Sequence, residues 1–240
     1  MKLAPGVRLL HVARIGSTNA EARRLADQGE RGPLWIWADE QTAGRGRLGR
    51  TWVSPPGNLY ATLLFETRAT PDIAAQLSFV AALAVHDAAK DLLPAARVSI
   101  KWPNDVLLDG AKFSGILLEV VATGPAVIAL GCGINLAHAP PGMPYSVTQL
   151  GARFTPEAVL EILAGKLARR LAQWADGEGF AAIRAAWLER AAGLGAEVVT
   201  EDGTRGLFSG LNEDGALILE RSDGSRRLIR AGDVRLEATA

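Results

Sequence analysis

The sequence predicts an α+β fold: a mixed, mostly antiparallel sheet with helices against one face, followed by a small C-terminal β-barrel. Three observations lead to this prediction. Strand patterns follow one another between residues 98 and 130, and helical patterns lie on both sides of them. From residue 195 onward, Asp-Gly turns recur about every ten residues. The 240 residues are 48% hydrophobic, which suffices for a globular core without disulfide or metal crosslinks.

The composition excludes several classes of protein. Basic and acidic residues each number 26, so the net charge is 0 and general binding to nucleic acids is not expected. The single cysteine, Cys132, can form neither an intramolecular disulfide nor a cysteine-based metal site, and the three histidines lack metal-binding spacing. No apolar run is long enough to span a bilayer, and no signal peptide is visible, so we expect a cytoplasmic protein without a membrane partner.

The first part of the main domain alternates helix and strand patterns. Thr18 and Glu21 have the spacing of a capping box, and Gly29 can end the helix that follows. The patterns then predict strands at 33–38 and 58–65 and a helix at 71–93.

The second part of the main domain is rich in strands, and the C-terminal part consists of strands alone. The strand patterns lie at 98–102, 105–108, 115–121 and 126–130, and helices are predicted at 156–175 and 180–191. Short strand patterns lie at 197–200, 206–208, 216–220, 227–229 and 234–236, and three Asp-Gly turns separate the first four of them. Since Gly193 and Gly195 mark a natural boundary, we divide the chain into a main domain, 1–192, and a small β-barrel domain, 193–240.

A loop rich in glycine and arginine is predicted between the first two strands. Residues 44–49 match the pattern G-x-G-x-x-G, and the stretch to Thr51 nearly matches a phosphate-binding P-loop. Both motifs need a helix directly after the glycines, which Pro55, Pro56 and Gly57 prevent here. The three arginines of this loop can bind phosphate or carboxylate groups, although a solvated basic loop would have the same composition.

Lys101 is a second candidate for binding an anion. It lies in the predicted strand 98–102, where alternation places it with Ser99 on the face opposite Ile100 and Trp102. A cation held on a sheet in this way can be directed at an anionic substrate group. The alternative is an ordinary solvated lysine on the polar face of the strand.

Six motifs in a fixed order resemble those of biotin protein ligases, also called biotin–[acetyl-CoA carboxylase] ligases. The motifs are S-T-N at 17–19, E-Q-T-A-G-R-G-R-L-G-R at 40–50 with Trp52, S-P-P-G-N-L-Y at 54–60, K-W-P-N-D at 101–105, K-F-S-G-I-L at 112–117 with Glu119, and G-C-G-I-N at 131–135. The resemblance implies the fold of class II synthetases and biotin–lipoyl ligases, with a small SH3-like domain at the C-terminus. The first motif begins at Ser17, so we expect the short type of this family, which lacks an N-terminal DNA-binding domain and has no DNA partner.

The resemblance implies an ATP-dependent, AMP-forming reaction in two steps. Biotin and MgATP give biotinyl-5′-AMP and pyrophosphate, and a lysine of a biotin carboxyl carrier domain of a carboxylase then accepts the biotin. The first step brings two anions together, so it needs cations and N–H dipoles more than a base or a covalent nucleophile. The family often forms dimers by pairing sheets, which makes a homodimer one expected assembly.

The resemblance also assigns roles to residues of this sequence. Arg47 and Lys101 would be catalytic, because they would contact the biotin carboxylate and the reacting phosphate. The biotin-binding residues would be Ser17, Thr18, Asn19, Gln41, Gly44, Arg45, Gly46, Arg47, Lys101 and Gly115. The nucleotide-binding residues would be Arg50, Trp52, Lys112 and Asn135. No cluster of protein residues is expected to bind a metal, since magnesium arrives with ATP.

Several alternatives stay open at this stage. Ser17 and Thr18 can serve only as helix caps, and Asp105 either fixes the turn after Lys101, the alternative that we favour, or helps to hold magnesium. A lipoate or octanoate ligase of the same fold, or a non-enzymatic biotin sensor, are the competing functions. The loop 44–57 is expected to act as a lid that keeps water from the reactive acyl-adenylate.

Overall fold

The computed structural model describes residues 1–138 and 154–236, and its larger sheet has seven strands. These strands are β1 (Arg8–Ile15), β2 (Leu34–Gln41), β3 (Leu59–Thr67), β4 (Val98–Lys101), β5 (Asp105–Leu108), β6 (Ala111–Ala122) and β7 (Ala126–Ile134). Their order in the sheet is β1-β2-β3-β7-β6-β5-β4. Only the pairing of β1 with β2 is parallel among these strands, and the others are antiparallel. The predicted mixed, mostly antiparallel sheet is therefore confirmed.

Strand β1 is the element that the sequence analysis missed. Its exposed side chains include Arg8, His11 and Arg14, so its pattern lacks the apolar alternation of a half-buried strand. It lies at the edge of the sheet, where only one neighbouring strand pairs with it. Polar and charged side chains are common on such edges because they discourage further strand pairing.

The helices are α1 (Thr18–Asp27), α2 (Pro71–Ala74), α3 (Leu77–Leu92), α4 (Pro156–Trp174) and α5 (Phe180–Leu188). The N-cap of α1 is Ser17 and not Thr18, the first residue of the predicted capping box. The Ser17 side chain accepts a hydrogen bond from the Ala20 N–H at 3.5 Å. The single helix predicted at 71–93 is divided into α2 and α3. No helix in residues 1–138 or 154–236 combines the length and hydrophobicity needed to cross a membrane.

The helices cover both faces of the larger sheet. Trp35 and Trp37 of β2 belong to the large core that contains α3, α4 and α5. Leu34 and Ile36, which alternate with them, pack with Ala22 of α1 in a separate core on the other face. The prediction of helices on one face holds for α3, α4 and α5 and is corrected for α1. The physical reason is that β2 is buried on both faces over its first five residues.

The smaller sheet is antiparallel and contains the five predicted C-terminal strands. They are β8 (Glu197–Thr200), β9 (Arg205–Leu211), β10 (Leu217–Glu220), β11 (Arg226–Ile229) and β12 (Val234–Leu236), in the order β11-β10-β9-β8-β12. The turns between β8, β9, β10 and β11 contain the three Asp-Gly pairs seen in the sequence. Within the described residues β11 and β12 share no ladder, so these five strands form an open sheet rather than a closed barrel.

The smaller sheet is docked against the main domain through aromatic side chains. Trp102, directly after β4, donates its Nε1–H to the carbonyl oxygen of Gly215 in the turn after β9, at 3.1 Å. Trp187 of α5 makes an edge contact with Phe208 of β9, with 6.5 Å between the ring centroids. Both tryptophans are almost completely buried. This docking holds the turn before β12 beside the larger sheet.

We expect Trp102→Ala to lower the free energy of unfolding by about 3–5 kcal/mol, because it leaves a large cavity and removes the bond to Gly215. Trp102→Phe retains most of the apolar contact and loses only the N–H donor, so a loss of about 1–2 kcal/mol is expected. Urea titration followed by circular dichroism measures both. Equal losses for the two variants would contradict the assignment of most of this energy to packing.

Candidate functional site

A cavity lies between the N-terminus of α1, the loop after β2 and the strands β6 and β7. It encloses about 840 Å³, part of which is open to solvent. Most of the predicted site residues line it: Ser17, Thr18, Asn19, Gln41, Arg45, Gly46, Arg47, Arg50, Trp52, Lys112 and Gly115. The structure therefore brings together residues that are separated by nearly one hundred positions in the sequence.

One wall of the cavity is polar and comes from the start of α1. The backbone N–H and the hydroxyl of Thr18 both lie within hydrogen-bond distance of Gln41 Oε1, at 2.8 and 3.1 Å. The Nδ2 of Asn19 donates to Glu119 Oε2 at 2.8 Å. The Thr18 and Asn19 side chains are buried, and their hydrogen bonds to Gln41 and Glu119 join α1 to β2 and β6, so Thr18 makes a structural contact beyond helix capping.

The floor of the cavity is made of glycines on β6 and β7. A Cβ atom at Gly133 would lie 2.6 Å from Trp52 Nε1, and one at Gly115 would lie 3.0 Å from the same indole ring. A Cβ atom at Gly131 would lie 2.2 Å from Asn19 Oδ1. Only glycine permits this close approach of the indole and the amide to the strands. The sequence analysis named Gly115 but not Gly131 and Gly133, although both belong to the motif at 131–135.

Another part of the cavity wall carries the arginines of the loop 44–57. Arg47 donates from Nη1 to Asn104 Oδ1 and from Nη2 to the carbonyl oxygen of Gly232, both at 3.1 Å. Burial lowers the pKa of Arg47, and the negative charges of Asp233 and Asp105 act in the opposite direction. The guanidinium group is thus oriented by two acceptors of the protein itself.

The loop contains a short 3₁₀ turn, Arg47–Gly49, and the described residues 50–58, between this turn and β3, contain no α-helix. Leu48 in this turn has a positive φ of 55°. The loop is closed on itself by backbone hydrogen bonds, including Trp52 N–H to the Gly44 carbonyl at 2.9 Å. The prediction of a loop instead of a Rossmann or P-loop motif is therefore confirmed, since both motifs need a helix N-terminus at the phosphate.

Two lysines and two aspartates form a charged cluster, and all of them except Lys101 line the cavity. Lys112 Nζ lies 2.8 Å from Asp105 Oδ1, and Lys101 Nζ lies 2.9 Å from Asp233 Oδ1 and 4.0 Å from Asp105 Oδ2. The Lys101 side chain is only 17% exposed, which excludes the solvated-lysine alternative. Asp105 lies between the two lysines and orients both of them. No group of three or more His, Cys, Asp or Glu within the described chain is placed to hold a metal ion.

The smaller sheet contributes residues that the sequence analysis did not find. Asp233, just before β12, lines the cavity and lies 3.3 Å from Arg50, which also lies 3.3 Å from Glu201. These contacts join positions more than 130 residues apart. No pattern in the sequence signals them, because they depend on how the smaller sheet docks.

Three predicted residues do not line the cavity. Lys101 is paired with Asp233, which does line the cavity. Gly44 lies where a Cβ atom would be 2.3 Å from the Trp52 carbonyl oxygen. Asn135 is buried behind Lys112 and donates to its carbonyl oxygen at 3.3 Å. Gly44 and Asn135 thus shape the loop and the strand ends. Direct contact of Gly44, Lys101 or Asn135 with a ligand stays a prediction.

We expect the stabilising effect of Asp233 to depend on pH. Burial alone would raise its pKa, but the charge and hydrogen bonds of Lys101 and Arg50 lower the pKa below the usual 3.8. A carboxylate with a lowered folded-state pKa stabilises the protein above its usual pKa, and this effect is lost as the pH falls through the folded-state value. Near pH 7, Asp233→Asn should therefore lower the free energy of unfolding by up to about 1 kcal/mol.

Denaturant titrations near pH 7 and at about pH 3 would measure this difference, which should shrink at the lower pH. Asp72→Asn, at an exposed position of α2, is the matched control. A difference of equal size at both pH values would contradict the role of the ionised Asp233 carboxylate.

Comparison with known proteins identifies the family. The profile of the biotin/lipoate A/B protein ligase family matches residues 12–135, which is half of the chain. The chain belongs to this family. The profile of the biotin protein ligase C-terminal domain matches residues 194–236, which contain the smaller sheet. The resemblance to biotin protein ligases found in the sequence is thereby confirmed.

Individual members of the biotin/lipoate A/B protein ligase family are similar over nearly the whole chain. The biotin–[acetyl-CoA-carboxylase] ligase of Paracoccus denitrificans is 50% identical over 238 residues, covering 93% of this chain and 98% of that protein. The bifunctional ligase/repressor BirA of Bacillus subtilis is 29% identical, covering 94% of this chain and 73% of that protein. The biotin protein ligase of Aquifex aeolicus, solved in complex with biotin and ATP, superposes with a TM-score of 0.81 at 27% identity, covering 97% of this chain and 99% of that one.

Proposed function

We propose that the chain is an ATP-dependent biotin protein ligase that forms biotinyl-5′-AMP and transfers biotin to a lysine of a biotin carboxyl carrier domain. One observation carries the proposal. A single cavity has a polar wall at the start of α1, suited to a neutral heterocycle, and a cationic wall with Arg47, suited to phosphate. The similarity to the Paracoccus denitrificans ligase supports the choice of biotin.

In the first step, a carboxylate oxygen of biotin attacks the α-phosphorus of MgATP, and the bond from that phosphorus to the bridging oxygen of pyrophosphate breaks. Arg47 and Lys101 would reduce the repulsion between the two anions and stabilise the charge that develops on the phosphate. The ureido ring of biotin would lie against Ser17, Thr18 and Asn19. These residues act by positioning and by charge, without a covalent intermediate on the protein.

The adenine would lie near Trp52, and Arg50 and Lys112 would contact the phosphates. Lys112 Nζ lies 5.3 Å from the centroid of the Trp52 ring, so the aromatic group and the cation are adjacent. Magnesium would enter as part of the substrate MgATP and would screen the charge of the phosphates.

In the second step, the amine of the carrier lysine attacks the carbonyl carbon of the mixed anhydride. The carbon–oxygen bond to phosphate breaks, AMP leaves with the electron pair, and the amine loses its proton as the amide forms. We propose a carboxylase carrier domain as the acceptor, by analogy with the activity that names the Paracoccus denitrificans relative.

Biotin-dependent exchange of pyrophosphate into ATP tests the first step, with lipoate and octanoate measured in parallel. Exchange with biotin alone is the expected result, and addition of a carrier domain should then yield the biotinylated carrier. Exchange with lipoate or octanoate would assign the chain to the other branch of its family. Binding of biotin without any exchange would support a biotin sensor and overturn the roles of Arg47 and Lys101.

The loop 44–57 is proposed to close over the bound adenylate and exclude water. Two of its apolar side chains, Leu48 and Val53, are 65% and 50% exposed, so they have contacts to gain on closure. Amide hydrogen exchange of the loop should slow when biotin and ATP are added. Equal protection with and without the substrates would contradict a lid.

The assembly and location of the protein are also proposals. We propose a homodimer formed by pairing of sheets, by analogy with the biotin protein ligases that the chain resembles. The zero net charge supports function without DNA, and we place the reaction in the cytoplasm, where ATP is abundant. Analytical ultracentrifugation at several concentrations would test the dimer.

A further inference from the structure

A chain of hydrogen bonds, buried around Thr62 and partly buried at its two ends, runs behind the polar wall of the cavity. It begins at Gln41 and passes through Thr18, Thr62 and Asn19 to Glu119. The side chain of Thr62, on β3, is completely buried and does not line the cavity. Neither Thr62 nor Glu119 has a role in the reaction described above. Their contacts nevertheless determine which groups the wall presents to a ligand.

The orientation of the Asn19 amide is decided by its partners. Its Nδ2 lies 2.8 Å from a carboxylate oxygen of Glu119 and 3.3 Å from the Leu117 carbonyl oxygen. Carbonyl and ionised carboxylate oxygens only accept hydrogen bonds, so both amide protons of Asn19 point to them. Arg23 of α1 lies 3.4 Å from the other Glu119 oxygen and holds the carboxylate in place. The Oδ1 of Asn19 therefore faces Thr62 and can only accept.

The orientation of the Gln41 amide is decided at the other end of the chain. The Ser54 hydroxyl donates to the Trp52 carbonyl oxygen at 2.9 Å, so its oxygen accepts from Gln41 Nε2 at 3.0 Å. The Oε1 of Gln41 consequently faces Thr18 and accepts from it. The two amide oxygens that face the threonine hydroxyls, Gln41 Oε1 and Asn19 Oδ1, are therefore both acceptors.

The two threonine hydroxyls between these ends have only two protons to share. Thr62 Oγ1 lies 2.7 Å from Asn19 Oδ1, and the two hydroxyl oxygens lie 2.8 Å apart. The proton of Thr62 satisfies Asn19, and the proton of Thr18 goes to Thr62 or Gln41. Both hydroxyl protons and both Asn19 amide protons are then used within the network. What remains for a ligand at Thr18 and Asn19 is oxygen lone pairs.

We propose that Thr62 and Glu119 are positioning residues that make the Thr18–Asn19 wall a hydrogen-bond acceptor, so that it selects a ligand with paired N–H donors. The ureido ring of biotin has two N–H groups, whereas the dithiolane ring of lipoate has none. Since buried polar groups need partners, a ring without N–H donors leaves this wall unsatisfied. This inference rests on the proposed function and names the residues that give it its substrate preference.

The test compares the KM for biotin and for ATP in pyrophosphate exchange. Thr62→Val removes the hydroxyl without changing the shape of the side chain, and Glu119→Ala removes the group that orients Asn19. Each should raise the KM for biotin about tenfold, with the KM for ATP and kcat unchanged. Thr62→Ser restores the hydroxyl and should return the KM for biotin to within about twofold of the original protein. A purely structural role would not raise the KM for biotin while leaving the KM for ATP and kcat unchanged.

Thr67→Val is the matched control. Thr67 is a second buried threonine of β3, and its hydroxyl bonds to Asp176, away from the cavity. This variant should lose stability and keep its KM for biotin.

An unchanged KM for biotin in both Thr62→Val and Glu119→Ala, or an equal rise in the KM for ATP, would overturn the inference. If Thr62→Val does not fold, Glu119→Ala decides, because Glu119 is partly exposed. Absence of exchange in the unaltered protein would instead contradict the proposed function.

Discussion

Replacing Arg47 by alanine is expected to slow formation of biotinyl-5′-AMP about a hundredfold to a thousandfold. The guanidinium group is held by hydrogen bonds to the Asn104 side chain and to the Gly232 carbonyl oxygen. A donor fixed before the reaction stabilises developing charge without first reorganising, and removing one such donor commonly costs a factor of this size. Single-turnover formation of the adenylate measures the effect directly. Much of the loss should appear in kcat, because the phosphate gains charge in the transition state.

Two further variants sharpen this test. Arg47→Lys keeps the positive charge but cannot bond to Asn104 and Gly232 at once, so its rate should lie between those of the alanine variant and the original protein. Arg68→Ala removes an exposed arginine just after β3 and should leave the rate unchanged. A near-normal rate for Arg47→Ala would show that the loop arginine contacts neither the phosphate nor the carboxylate.

Replacing Lys101 by alanine is expected to lower the rate of adenylate formation about a hundredfold. Lys101 is mostly buried at the end of β4, and its ammonium group is held between Asp105 and Asp233. Because the side chain is already ordered, little entropy is lost when it contacts a substrate anion. Removal of Lys101 also leaves the Asp233 carboxylate with Arg50 as its neighbouring cation. The less neutralised Asp233 carboxylate then repels an incoming anion more strongly.

Lys166→Ala is the control for Lys101→Ala. Lys166 of α4 forms an ion pair with Asp91, so its replacement removes the same charge and an ion pair far from the cavity. Pyrophosphate exchange should be normal in this control. If Lys101→Ala is as active as Lys166→Ala, Lys101 serves only to dock Asp233 and the smaller sheet.

Local patterns predicted much of the fold. The five C-terminal strands appeared where alternating apolar residues and Asp-Gly turns placed them, because both signals depend on neighbouring residues only. Strand β1 was missed because an exposed edge strand does not show that alternation. The position of α1 was also not predicted, since β2 reads as apolar on both faces and its pattern does not say which helix covers which face.

The sequence predicted the site residues that belong to motifs. It did not predict those that reach the site through strand pairing or through docking of the smaller sheet. The motifs named the arginines of the loop, the start of α1 and Lys112, and these residues do line the cavity. They did not name Thr62, whose hydroxyl is hidden behind Thr18, or Asp233, which comes from the other sheet. A motif consists of residues that lie close together in the sequence. Thr62 and Asp233 instead contact partners that only the folded chain brings near them.

The sequence by itself determined the family, the class of the fold and the chemical character of the cavity, because motif order, periodicity and turn residues are properties of short segments. Only the tertiary structure decided how the charges are paired and which way the amides point. Lys101 faces Asp233, and Asn19 faces Thr62 and Glu119, across 43 to 132 positions of the chain. Hydrogen bonds and ion pairs act over a few ångström, so their partners are set by how strands pair and sheets dock rather than by distance along the sequence.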